Sequence, residues 1–178
     1  VLSAMGDTTD HLLEAADQAL QGSVSIKKIE DLHKQTITEL KLDTKVLDEV
    51  DALLSELKSL LVGISLIKEL TNRTKDYLVS FGERLSIRIA AAYFRSEGIQ
   101  AQALDAWDAG FRSDANYSQA EVLPEAWESI KKTLIPLVES GVLPIVTGFI
   151  AKDPQGNITT LGRGGSDLTA TIIGSACK

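Results

Sequence analysis

The chain has 178 residues, of which 44% are hydrophobic and 24% charged, so it can bury a substantial core as a single domain. Its formal net charge of −7 argues against general binding to nucleic acids or anionic membranes, because the long-range field repels polyanions. No apolar run approaches the roughly 20 residues that span a bilayer, and the lone cysteine, Cys177, excludes an intrachain disulfide and fits a reducing compartment.

The first half of the chain is predicted to be nearly all helix. Residues 1–3 have the pattern of a strand end, and the Thr-Thr-Asp run at 8–10 is a good N-cap for the helix that follows. Asp43 is a candidate cap for a later helix. Apolar residues at helical spacing predict four helical stretches, at 12–20, 26–40, 46–61 and 66–79.

The pattern changes after residue 79. The Ser-Phe-Gly-Glu segment at 80–83 is short and punctuated, and it leads into a predicted helix over 84–95. The remaining predicted elements are a strand at 99–104, a loop-rich region at 105–118, a helix at 121–140, strands at 143–149 and 158–161 around a turn at 153–157, and a helix from Asp167. Helices alternating with short apolar strands indicate an α/β fold with a largely parallel sheet.

Three segments are predicted to end at one edge of this sheet. They are Ser3 to Gly6, Gly148-Phe149, and the loop at Gly162. In open α/β sheets, ligands lie beyond the carboxyl ends of the strands. These three segments therefore predict a single binding site.

The loop Gly-Arg-Gly-Gly-Ser-Asp at 162–167 has the composition of an anion site. Consecutive backbone N–H groups can surround an anion, and the helix that follows adds its positive N-terminal end. Arg163 supplies a planar fork suited to a carboxylate or a phosphate. The alternative is a tight turn in which Ser166 or Asp167 caps the helix, but that alternative leaves an arginine between glycines unexplained.

Other polar residues are ambiguous when taken alone. Glu83 at a predicted helix start could simply be an acid favoured by the helix dipole. Ser3 and Thr9 could be capping residues. His11 and His33 are isolated and lack metal-ligand spacing, so no metal site is predicted.

Taken together, the segments resemble a known family. VLSAMGDTTDHLL at 1–13, RTKDYLVSFGERLSIRIAAAY at 73–93, PIVTGFI at 144–150 and TTLGRGGSDLTATIIGSA at 159–176 are similar, in this order, to the motifs of aspartate kinases. The form of the segments is closest to the plant-like monofunctional enzymes of the amino-acid kinase superfamily.

The resemblance implies a three-layer αβα sandwich with a mostly parallel sheet and a large helical insert at 12–79. It implies that residues 1–178 are part of a catalytic domain. The implied reaction transfers the γ-phosphoryl group of ATP to the β-carboxylate of L-aspartate, giving 4-phospho-L-aspartate. This is the first step of lysine, threonine and methionine biosynthesis, and its implied cofactors are ATP and Mg²⁺.

The resemblance also implies which residues bind the substrate. By motif position, Arg163 holds a substrate carboxylate and Glu83 receives the substrate ammonium. Thr9, Ser166 and Thr160 are expected to add contacts to the same substrate. This agrees with the chemistry of aspartate, whose two carboxylates and one ammonium require an arginine and an acid together.

The remaining implied roles concern phosphoryl transfer. Asp167 is expected to orient the catalytic machinery, with Arg163 as the second catalytic residue. Ser3 is expected near the transferred phosphate, and Gly164 and Gly165 are expected to bind the nucleotide phosphates. No residue is expected to ligate a metal ion.

The sequence departs from the family pattern in three places. The family's Lys-Phe-Gly-Gly segment does not precede Val1, and its nucleotide-binding segment and ACT regulatory domains do not follow Lys178. Asp7 stands where related proteins often carry lysine. Both ends look cut, so the 178-residue segment alone is expected to be inactive.

The expected setting follows from the family. The partners are L-aspartate and ATP, with neither nucleic acid nor membrane. The parent protein is expected to be an allosteric homodimer joined through its ACT domains. It is expected in the plastid stroma of a plant or alga, and otherwise in the cytoplasm.

Two alternatives stay open at this point. One is another member of the superfamily, a kinase for acetylglutamate, glutamate or a nucleotide. Glu83 together with Arg163 favours aspartate over these. The other is a non-catalytic interaction module whose helical insert recruits a partner.

Overall fold

A computed structural model describes residues 1–178 as six helices and four strands. In chain order the elements are α1 (Thr8–Leu20), α2 (Lys27–Glu39), α3 (Thr44–Ile67), α4 (Asn72–Ser96), β1 (Ala101–Leu104), α5 (Ala126–Glu139), β2 (Leu143–Val146), β3 (Ile150–Lys152), β4 (Ile158–Thr160) and α6 (Gly165–Ala176). None of the helices combines the length and the apolar character needed to span a membrane.

The sheet is built on a parallel pair. β1 and β2 run parallel, with Ala101 opposite Leu143 and the register kept to the end of both strands. Leu2 adds a further parallel bridge beside Thr147 at the end of β2. β3 and β4 form an antiparallel hairpin, and β3 was not predicted from the sequence. The parallel pairing between alternating helices confirms the α/β class.

Helices cover both faces of the parallel strands. Successive side chains of a strand point to opposite faces, and Ile145 accordingly packs with Ile87 of α4 on one face. Its neighbour Val146 packs on the other face with Ile130 of α5 and Ile172 of α6. The result is a layer of α4, a layer of sheet and a layer of α5 and α6, in agreement with the expected αβα arrangement.

The helices α1 to α3 form a second core against the outer side of α4. Eighteen buried residues make up this cluster, including Leu12 of α1, Leu57 of α3 and Leu85 of α4, each fully buried. Burying one such side chain stabilises the fold by about 1.5–3 kcal/mol. The apolar residues whose spacing predicted helices in this part of the chain are therefore buried between α1 to α3 and α4.

The prediction was wrong about where α3 ends and α4 begins. A continuous helix over 66–79 was predicted, but α3 ends at Ile67, followed by the cap residue Lys68 with a φ of 57°, and α4 starts after the cap residue Thr71. The new helix start predicted at 84 is also wrong, because α4 runs without a break through Gly82. A glycine inside a helix costs only about 1 kcal/mol, which the burial of the flanking residues outweighs.

Helix caps were predicted with mixed success. Asp43 caps α3 as predicted, since its side chain accepts a backbone N–H of the first turn. Residues 8–10 do not cap α1 but form its first turn, with Asp7 at the cap position and no capping hydrogen bond. α5 begins at Ala126, later than predicted. α6 is capped by Gly164 in a left-handed conformation, with φ at 75°, rather than by a serine or an aspartate.

Candidate active site

A cleft of about 340 Å³ opens where Ser3, which follows the bridge at Leu2, meets α1, α4 and the start of α6. It brings together eight of the nine residues predicted for the site: Ser3, Thr9, Glu83, Arg163, Gly164, Gly165, Ser166 and Asp167. These residues come from four separate segments of the chain, so their meeting depends on the tertiary fold. Thr160 and Asp7 do not line this cleft.

The sheet places Ser3 in the cleft. The N–H of Leu2 donates to the carbonyl of Val146 at 2.9 Å, and the N–H of Gly148 donates to the carbonyl of Leu2 at 2.8 Å. Ser3 therefore follows directly after a parallel bridge, at the carboxyl edge of the sheet. Its Oγ donates to the Oγ of Ser166 at 2.9 Å, which ties this edge to the first turn of α6.

Two glycines allow the segments to approach this closely. A Cβ added to Gly148 would lie 2.6 Å from Oγ and 2.9 Å from Cα of Ser166. A Cβ added to Gly82 would lie 2.7 Å from the Cβ of Ala4. Because Gly82 has no side chain, Ala4 comes near enough for its N–H to donate to Oε1 of Glu83 at 3.3 Å. Gly82 thus marks a close approach and not a helix break.

Glu83 is a buried carboxyl group with one open oxygen. The residue is 4% exposed and lies well inside α4, so its interpretation as an acid at a helix start is wrong. Oε1 accepts the Ala4 N–H, whereas Oε2 is buried and has no hydrogen-bond partner. Burial raises the pKa of Glu83 to about 7, against the opposing effect of backbone hydrogen bonds. An acid of this kind, lining a cleft, is suited to receive a cationic group.

The start of α6 is suited to an anion. The N–H groups of Ser166 and Asp167 have no acceptor within the chain, as expected for the first turn of a helix. Arg163 is exposed, lines the same cleft and forms no ion pair. Free amides, a helix N-terminus and a guanidinium together favour bound negative charge. The cleft therefore offers an anion site at Arg163 and a cation site at Glu83.

Thr160 lies outside the cleft, in a buried network that the sequence did not reveal. The carboxylate of Asp76, on α4, is 1% exposed. Its Oδ2 accepts the N–H groups of Ser118 at 2.8 Å and Thr160 at 2.9 Å, and its Oδ1 accepts their hydroxyls at 3.1 and 3.0 Å. Asp76 thus fixes the end of β4, from which the chain passes into the loop at Gly162. The only sequence signal was an acid among the apolar residues of a predicted helix.

We expect Asp76→Asn to destabilise the fold by about 2 kcal/mol, because the new amide NH₂ faces two donors and loses charge-assisted hydrogen bonds. Chemical denaturation of the 178-residue chain measures this change. Asp17→Asn, on an exposed position of α1, is the matched control and should leave the midpoint unchanged. Equal midpoints for the two variants would contradict the structural role of Asp76.

Neither histidine lies in a cluster of metal-ligating side chains. His33 is fully buried in the insert, with Nδ1 at 2.7 Å from the carbonyl of Ile29, and burial lowers its pKa. The structure contains no group of three or more His, Cys, Asp or Glu side chains placed to hold a metal ion.

Comparison with known proteins places this geometry in a family. Residues 1–178 match the model of the amino acid kinase family, and the chain belongs to that family. It is 45% identical to Aspartokinase 1, chloroplastic, of Arabidopsis thaliana, over 99% of this chain and 32% of that protein. It is 32% identical to the aspartokinase of Geobacillus stearothermophilus, over 86% of this chain and 37% of that protein. The resemblance to aspartate kinases is confirmed.

Solved structures of aspartokinases also match the fold of this chain. The fold matches Escherichia coli aspartokinase III in complex with lysine and aspartate (T-state), with a TM-score of 0.82, 28% identity, and coverage of 99% of this chain and 39% of that one. It matches the same enzyme in complex with aspartate and ADP (R-state) with a TM-score of 0.78, 26% identity and the same coverage. The chain spans about a third of the length of the curated relatives it matches, at 32% of the Arabidopsis protein.

Proposed function

We propose that this chain is part of the catalytic domain of an aspartate kinase. In the reaction, a β-carboxylate oxygen of L-aspartate attacks the γ-phosphorus of ATP. The bond between that phosphorus and the bridging oxygen breaks, and ADP and 4-phospho-L-aspartate are released. The observation that carries the proposal is the single cleft that holds an unpaired exposed arginine and a buried glutamate with one open oxygen.

The two charges distinguish aspartate from other acceptors. Arg163 matches a carboxylate of the substrate and Glu83 matches its ammonium, with Thr9 beside them in the cleft. N-acetylglutamate has an acylated nitrogen without positive charge, so it would leave the buried Glu83 carboxylate without a partner. Glutamate keeps the ammonium but is longer by one methylene. Among the superfamily alternatives, aspartate fits these residues best.

The start of α6 provides for the phosphoryl group. Phosphoryl transfer requires in-line positioning and stabilisation of charge on the phosphoryl oxygens. The free N–H groups of Ser166 and Asp167, the hydroxyl of Ser3 and the backbone at Gly164 and Gly165 are the groups in the cleft that can supply this.

The residues also fit ATP and Mg²⁺ as cofactors. Mg²⁺ in kinase sites is held mainly by substrate phosphates and one or two carboxylates, so a cluster of three acids is not required. No metal ligand was expected from the sequence, but Asp167 is the exposed carboxylate of the cleft and is the residue that would hold the ion. When bound, the ion neutralises charge on the phosphates.

The setting of the enzyme follows from its relatives. Where the chain is part of a longer protein, we propose that ACT domains outside residues 1–178 make it an allosteric homodimer. Names such as Aspartokinase 1, chloroplastic, favour the plastid stroma in a plant or alga, and the cytoplasm otherwise. The product then enters lysine, threonine and methionine biosynthesis.

An acceptor assay on the full-length protein tests the proposal. Purified protein is given ATP and Mg²⁺ with L-aspartate, L-glutamate or N-acetyl-L-glutamate, and acyl phosphate is trapped with hydroxylamine. We expect kcat/KM for aspartate to exceed that for N-acetylglutamate by about 100-fold or more, because an unpaired buried charge costs about 3 kcal/mol. Preference for N-acetylglutamate or glutamate would contradict the proposal and assign the protein to the acetylglutamate or glutamate kinases of the same superfamily. Absence of turnover with every acceptor would support the interaction module.

A further inference from the structure

A second cleft, of about 490 Å³, lies between the helical insert and the β3–β4 hairpin. Its lining includes Arg73 and Tyr77 in the first half of α4, Arg84 further along the same helix, and Lys152 and Asn157 of the hairpin. It shares no lining residue with the cleft at Arg163. Its volume is within the range of small-molecule sites, about 300–1,000 Å³.

Arg84 has hydrogen-bond donors that the protein leaves open. Its side chain is only 11% exposed, yet Nε and Nη1 are buried without a hydrogen-bond partner. Nη2 reaches Oε2 of Glu56 only at 3.4 Å, and Nε lies 3.7 Å from Oδ2 of Asp105. Arg88 already binds both oxygens of Asp105, at 2.9 and 3.0 Å. Buried donors are rarely left unpaired in native proteins, so these open donors point to a missing acceptor.

The guanidinium is also held in place. Its carbon lies 4.9 Å from the centre of the Phe81 ring and 5.9 Å from that of Trp107. Such contacts fix the plane of an arginine without using its N–H groups. Arg84 is therefore oriented for an acceptor before any ligand arrives.

Two further cations line the cleft without a carboxylate partner. Lys152 has its Nζ 4.2 Å from the centre of the Trp107 ring, and Arg73 is exposed at the start of α4. Neither forms an ion pair. The one acidic residue of the lining, Glu56, accepts the hydroxyl of Tyr77. Three cations and one acid make this lining positive in a chain whose net charge is −7.

We propose that this second cleft is a binding site for a small oxyanion, the phosphate or carboxylate group of a metabolite, with Arg84 as its principal donor. The planar fork of an arginine pairs with two oxygens of such a group, and Arg73 and Lys152 add charge at the mouth. The site is independent of the proposed kinase reaction. The two clefts are nevertheless adjacent in the sequence, since Glu83 of the first cleft and Arg84 of the second are neighbours on α4. Their side chains project about 100° apart around the helix.

The two tryptophans allow a direct test. Trp107 lines the second cleft, whereas Trp127 lies beside the glycine loop with Arg163. Pyrophosphate and succinate, as phosphate and carboxylate probes, are titrated into the ¹⁵N-labelled 178-residue chain at constant ionic strength. We expect the indole N–H resonance of Trp107 to shift saturably with at least one probe. Which probe binds more tightly distinguishes the phosphate source from the carboxylate source.

Variants separate the site from general charge effects. Arg84→Met should weaken binding about tenfold or more, because a charge-assisted contact is lost. Lys152→Met, at the mouth, should weaken it several-fold and keeps the test valid if Arg84→Met does not fold. Lys75→Met removes an exposed charge of α4 that does not line the cleft, and should leave affinity unchanged.

Three results would overturn the proposal. The first is a saturable shift of Trp127 alone, which would place the anion at the glycine loop. The second is a response of Trp107 that does not saturate with either probe. The third is equal loss of affinity in Lys75→Met and Lys152→Met, which would reduce binding to the overall charge of the chain.

Discussion

Arg163→Lys in the full-length protein is expected to raise the KM for aspartate by about 30-fold or more. Arg163 is exposed, unpaired and placed beside the free amides of α6, so its fork is available to a substrate carboxylate. An ammonium keeps the charge but cannot form the two parallel hydrogen bonds. Truncating one partner of such a charge pair costs about 2–5 kcal/mol. Steady-state kinetics with varied aspartate measures the effect.

The structure predicts that this variant keeps its stability. Arg163 makes no ion pair and no side-chain hydrogen bond within the chain, so its replacement removes no contact of the fold. Arg95→Lys, at another exposed arginine that lines neither cleft, is the matched control and should keep the wild-type KM. An unchanged KM in Arg163→Lys would show that Arg163 serves only the turn.

Glu83→Gln is expected to lower kcat/KM for aspartate by about 100-fold or more, with little change in affinity for ATP. The carboxylate is buried and has one open oxygen, so the substrate ammonium is its natural partner. Glutamine keeps the acceptor for the Ala4 N–H but carries no charge. A charged hydrogen bond left unpaired costs about 2.7 kcal/mol or more.

The pH dependence of stability separates this role from a structural one. The pKa of Glu83 is about 7 in the folded chain against 4.5 for the free group. Between these values the unfolded state loses its proton first, so ionisation of Glu83 lowers stability as pH rises from 4.5 to 7. The shift corresponds to about 3 kcal/mol at high pH. Glu83→Gln should therefore be more stable than wild type at pH 8 and nearly equal to it below pH 4.5.

Denaturation at several pH values, alongside the kinetics, checks both expectations. A variant that is more stable at pH 8 and less active at the same pH would show that the carboxylate is kept for binding at the expense of the fold. Wild-type kinetics in Glu83→Gln, at equal stability, would remove Glu83 from the substrate site and weaken the assignment of aspartate.

Local signals in the sequence were sufficient for the fold class and for naming most of the residues that line the candidate site. A few consecutive residues are enough to identify each of three elements: the apolar run at β2, the glycine loop and the helix after it. Ser3 and the loop at Arg163 were predicted to meet because both were placed at the carboxyl ends of parallel strands. This premise holds for Ser3, which follows the parallel bridge at Leu2, but not for the loop, because β4 before it pairs antiparallel with β3. The structure brings them together in one cleft.

Contacts between distant residues could not be predicted in this way. Asp76 binds Thr160 across 84 positions, and no local pattern marks either residue as a partner of the other. Gly82 was taken for a break because glycine is a poor helix former, whereas it is needed for the approach of Ala4. The second cleft likewise joins Arg84 of α4 to Lys152 of the hairpin, which lie far apart in the sequence.

The unbroken course of α4 has a consequence for protein engineering. One side of this helix closes the core of the insert, through Leu85, while another covers the sheet, through Ile87. In a chimera that exchanges the insert for that of a relative, any junction placed within α4 therefore disturbs the packing on one of these two sides. Whichever parent supplies α4 also supplies Glu83, together with Asp76 and Arg84, so the acid of the candidate site cannot be exchanged separately from the packing of the insert.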